Sequence, residues 1–71
     1  RVVFTAHSQE RMRLRGVTEE EVCAVLQSRG TEYPGKRGCV HIADWVKGRR
    51  IRVTVKETAL VCNVVTVVVL E

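Results

Sequence analysis

HSQERMRLRGVTEEEV, residues 7–22, reads as two short helices separated by a sharp stop. Ala6 to Arg15 contains no helix breaker, and Gly16 is the residue type best suited to a left-handed helix end. Thr18 with Glu21 makes a capping-box pattern, Val17 and Val22 are spaced for a hydrophobic staple, and Glu19, Glu20 and Glu21 meet the positive end of the helix dipole. Val22, Val25 and Leu26 supply the buried stripe of this second helix, with Gly30 and Pro34 marking its exit. In the first helix, His7, Arg11 and Arg15 recur every four residues and therefore share one face. Such a cationic stripe, headed by an imidazole, suits a phosphate ligand. The helix start and Arg11 both disfavour imidazolium, so His7 reads as a neutral ring able to accept a proton.

Outward from this stretch, Val2 to Thr5 is a short β-prone run, and Thr31 to Gly38 reads as a mobile loop. Strands are predicted over Cys39–Val46, Arg49–Lys56 and Leu60–Leu70, with Lys47-Gly48 as a two-residue hairpin turn and residues 57–59 as the next connection. That hairpin would place Trp45 opposite Arg50, Ala43 opposite Arg52, His41 opposite Thr54 and Cys39 opposite Lys56 on one face. Val40, Ile42, Val46, Ile51, Val53 and Val55 take the other face, where the helices pack. Asp44 and Arg49 break the division and are placed for a diagonal pair. The expected fold is α+β, in the order β-α-α-β-β-β, with two N-terminal helices on one face of an antiparallel sheet.

The valine-rich last strand reads either as interior or as covered by a second subunit, which would make a homodimer through this C-terminal strand. A three-residue connection before it puts Cys62, Val64, Thr66 and Val68 on the basic face, with Thr66 opposite Arg50. One extra loop residue reverses this assignment.

The 71 residues suit a single domain spanning 1–71 and carry a net charge of +4. Nine of the twelve cations are arginine, which favours bidentate contact with oxyanions and points toward nucleic acid. Cys23, Cys39 and Cys62 form no C-x-x-C pair and have no clustered histidines beside them, so neither a zinc site nor a disulfide framework is expected. A reducing cytoplasm fits this pattern. The longest apolar run, Val64 to Leu70, is too short to cross a bilayer as a helix, and no membrane association is expected.

HSQERMRLRGVTEEEV, GRRIRVTV at residues 48–55 and VVTV around Thr66 together resemble a widespread family of small bacterial domains similar in fold to RelE- and ParE-like toxins. The likeness spans nearly the whole chain, and its H-x-x-x-R-x-x-x-R-G front half is its more specific part. It implies a cytoplasmic toxin-antitoxin setting, RNA as ligand, a protein antitoxin as partner, no cofactor, and metal-independent endoribonuclease activity in some members. Relatives of the ParE type act on a protein target instead. Carried over residue by residue, the pattern reaches His7, Arg11, Arg15, Arg49, Arg52 and Thr66. A basic or aromatic C-terminal helix, present in active RelE-type ribonucleases, has no counterpart after the last strand.

Metal-free RNA cleavage needs a base, cations around the phosphorus and an acid. His7 is the candidate base, with Arg11 and Arg52 as the phosphate clamp and His41 as the other imidazole. Arg15, Arg49, Arg50, His41, Trp45, Lys56 and Thr66 are candidates for nucleic-acid contact. The same residues also admit plain structural roles: His7 as a cap, the arginines as solvated or paired charges, and Trp45 as a cation-π partner of Arg50. A noncatalytic nucleic-acid or protein interaction module is the alternative to the enzyme. The catalytic reading requires His7 to work at the rim of the sheet, since the helices and the basic strand residues are expected on opposite faces.

Overall fold

The computed structural model describes all 71 residues. It is an α+β structure of two helices and a five-stranded mixed sheet. Strand β1 (Val2–Phe4) leads into α1 (Ala6–Arg15) and α2 (Glu19–Ser28). Strands β2 (Thr31–Pro34), β3 (Val40–Val46), β4 (Arg49–Glu57) and β5 (Cys62–Val69) follow. The sheet order is β1-β5-β4-β3-β2.

The helix boundaries follow local chemistry. Thr5 caps α1 by accepting a hydrogen bond from the Ser8 amide at 3.1 Å, and Ser8 Oγ donates back to the Thr5 carbonyl at 2.8 Å. Gly16 ends α1 in the left-handed conformation, φ 63°. At α2 the capping box is complete: the Glu21 amide donates to Thr18 Oγ1 at 3.1 Å, and the Thr18 amide donates to Glu21 Oε1 at 3.0 Å. The stop of α2 is Arg29, φ 47°, one residue before the expected glycine. Its guanidinium is bound by Glu32 at 2.8 Å and Glu57 at 2.9 Å, which anchors a side chain in a backbone region that arginine rarely adopts.

Both helices cover one sheet face. Met12, Val17, Val22 and Val25 from the helical half pack with Ile42, Ile51, Val53, Val55, Val64 and Val67. Six of these valines have no exposed surface, and each contributes about 1.5–3 kcal/mol relative to an exposed side chain. The β3-β4 register is the predicted one, pairing Trp45 with Arg50, Ala43 with Arg52 and His41 with Thr54. Lys47 and Gly48 both have positive φ, 51° and 78°, which gives a turn matched to the twist of the two strands. Cys39 lies before β3 and has no strand partner opposite Lys56, whose partner is Asn63.

Three expectations are corrected. The sheet is mixed, because β1 pairs parallel to β5. Residues 31–34 are a strand, β2, paired antiparallel with β3. The β5 register differs as well: the connection Thr58 to Val61 is one residue longer than expected, so Cys62 and Val64 turn to the helix side. A bulge then reverses the alternation again, since Val55 pairs with Val64 but Thr54 pairs with Thr66. Thr66 therefore stands on the basic face opposite Thr54, with Val68 opposite Arg52. Strand β5 is interior, between β1 and β4, with Val64 and Val67 fully buried. No helix is long and apolar enough to cross a membrane.

Candidate nucleic-acid interface

The face turned away from the helices is built in register across the sheet. One row runs Tyr33, His41, Thr54, Thr66; the next runs Thr31, Ala43, Arg52, Val68; Trp45 and Arg50 begin a third. Lys56 follows Thr54 two residues along β4, on the same side. No helix covers these rows, and the molecule has no enclosed pocket. A ligand on this face therefore lies across an open surface.

Charge on the sheet is segregated by strand alternation. Glu32, Asp44 and Glu57 are register partners of Ile42, Ile51 and Cys62, and all three project to the helix side. There, Arg29 binds Glu32 and Glu57. Asp44 is held below the usual carboxylate range by hydrogen bonds from the Ser28 hydroxyl, then from the Trp45 and Gly30 amides. The open face keeps Arg50, Arg52 and Lys56, and the one carboxylate that approaches them is Glu71, 3.9 Å from Arg50. Arg52 and Lys56 have no ion-pair partner. Arg52 Nε is buried without a hydrogen-bond acceptor, leaving a donor unsatisfied in the middle strand of the sheet.

His41 is fixed from two sides. Its Nδ1 shares a 2.7 Å hydrogen bond with Thr54 Oγ1, and its ring lies 5.0 Å from the Tyr33 ring at 41°. Burial, and secondarily the positive charge of Arg52, hold its pKa below the ordinary imidazole value. His41 is thus neutral at pH 7. Trp45 is 57% exposed and Tyr33 37% exposed. The expected Trp45–Arg50 cation-π contact does not form, and Arg50 turns toward Glu71 instead.

Other predicted residues lie elsewhere. His7 is exposed on the first turn of α1, Arg11 follows one turn on, and α1 packs through Ser8 and Met12 on the helix side of β5. Arg52 alternates with buried Ile51 and Val53 and so points away from that side. The sheet separates His7 and Arg11 from Arg52, and the three do not surround one phosphate. Arg15 sits at the end of α1, where its carbonyl accepts from Arg49. Arg49 does not pair with Asp44; its guanidinium donates to both Glu21 carboxylate oxygens and to the Arg15 and Gly16 carbonyls. It is committed to joining the helices.

Tyr33 and Thr54 are the members of the face that sequence reading left without a role. Nothing in the sequence marks Tyr33, because all four residues of β2 are exposed. Compared with family models, curated proteins and solved structures, the chain has no match.

Proposed function

We propose that this chain is a single-stranded RNA-binding domain of RelE/ParE-like, toxin type, and that it holds RNA on the open face of its sheet. The observation that carries this reading is the separation of charge: every strand carboxylate lies on the helix side, while Arg50, Arg52 and Lys56 remain opposite beside two exposed aromatic rings. Cations neutralise phosphates, and exposed aromatic faces stack on unpaired bases without demanding a particular sequence. A duplex hides its bases and would leave Trp45 and Tyr33 unused.

Binding is preferred to cleavage because the base and clamp proposed for catalysis, His7 and Arg11 with Arg52, lie on different sides of the sheet. An acidic protein partner, such as an antitoxin, is the competing occupant of the same cations. The test is the binding of a labelled single-stranded RNA as salt is raised, with EDTA present throughout. Three phosphate contacts give a slope of about −2 in log affinity against log salt, and Arg52→Ala should make it shallower by about 0.7. Arg11→Ala should leave it unchanged. Absence of RNA binding at low salt rejects the proposal, and cutting by wild type but not by His7→Ala restores the enzymatic reading.

A further inference from the structure

Resting on that reading, we infer that the open face has a three-nucleotide footprint running along β3, with the outer bases stacked on Trp45 and Tyr33 and a linking phosphate of the middle nucleotide on Arg52. Three same-face stations follow one another at alternate residues of β3: His41 with Tyr33 beside it, Ala43 with Arg52 beside it, and Trp45 with Arg50 beside it. Alternate residues of a strand are about 7 Å apart, so Tyr33 and Trp45 mark stations about 13 Å apart. A strand stacked as in a duplex rises about 3.4 Å per nucleotide, so one that spans these stations in two steps is unstacked to about twice that rise. Two such steps separate the first base from the third.

The middle station has the character of a phosphate seat. Ala43 contributes no bulk, and the neighbouring half-buried Arg52 has no opposing carboxylate. The end stations carry the rings. Tyr33 is braced by His41, which Thr54 holds, so its ring is oriented before a base arrives. This preorganisation lowers the cost of ordering the ligand.

The test measures fluorescence anisotropy with oligouridylates of one, two, three, four and eight nucleotides at low salt, correcting for the number of overlapping registers on longer chains. Per-register affinity should climb steeply to three nucleotides and then level off. Tyr33→Ala and Trp45→Ala should each lower trimer affinity by about tenfold, and Trp45→Phe should recover most of it. Thermal melts of the exposed-site variants establish that they remain folded. Binding of the eight-mer with no break at three nucleotides, or with both aromatic variants equal to wild type, overturns the footprint and leaves the RNA-binding reading intact. Failure of the eight-mer to bind overturns both.

Discussion

Arg49 grips Glu21 across 28 residues of chain, with Nη2 at 2.9 Å from Oε2, while the same guanidinium binds the carbonyls of Arg15 and Gly16. One side chain of β4 thereby closes the end of α1 and anchors the start of α2. Arg49→Ala should lower the melting temperature by roughly 5 °C or more, because it strips partners from a carboxylate and a helix end together. Arg49→Lys should recover only part of this, since a single ammonium cannot reproduce the fork. RNA affinity of the folded protein should be nearly unchanged.

Glu21 also gives the fold a definite acid response. Its carboxyl is held below the ordinary value of 4.5 by the Thr18 amide first and by Arg49 second. Its stabilising contribution is therefore complete above the unfolded value and lost as pH falls through the lower folded one. Melting curves from neutral pH downward should show wild type losing stability in that acidic window. Glu21→Gln should start less stable at neutral pH and change less across the window.

Gly30 is required for space. A Cβ there would lie 2.7 Å from Asp44 Cγ and 2.8 Å from Oδ2, displacing a carboxylate that accepts a 2.7 Å hydrogen bond from the Trp45 amide. Gly30→Ala should reduce the melting temperature by roughly 5 °C. Gly38 tests the converse case, because its φ is 77° but nothing lies near a Cβ. Gly38→Asn should cost less stability than Gly38→Ala, asparagine being more tolerant of that backbone region.

His41 should make RNA binding sensitive to acid. The ring is neutral at pH 7 because burial and Arg52 disfavour its charge, so lowering the pH through its depressed range adds a cation to the open face. RNA affinity should rise as the pH falls from 7 through that depressed range, while the same protonation destabilises the free fold. His41→Gln should flatten the binding response. A wild-type affinity that does not change over this interval would exclude a ligand phosphate near the ring.

Much of the architecture was legible because its signals are local. Thr18 with Glu21, Gly16 as a stop and the Lys47-Gly48 turn each act within a few residues, and each stands where the sequence placed it. Strand β2 was not legible: all four of its residues are exposed, so burial imposes no apolar alternation on it. The bulge in β5 escaped because valines occupy both alternations, and pattern alone cannot locate one inserted residue. On the candidate site, His41, Trp45, Arg50, Arg52 and Lys56 share the face that the hairpin register implies, whereas His7 and Arg11 stand on α1, across the sheet from Arg52. The partner of Arg49 is distant in sequence and adjacent only after folding, so no local signal points to it.

The parallel pairing of Val2 with Cys62 and Phe4 with Val64 makes the opening of this fold depend on its close. Strand β1 has no sheet neighbour but β5, and α1 packs on the same strand, so a cut ahead of Cys62 would remove the support of both. Chains cut there should be cleared by proteases instead of accumulating as partly folded fragments.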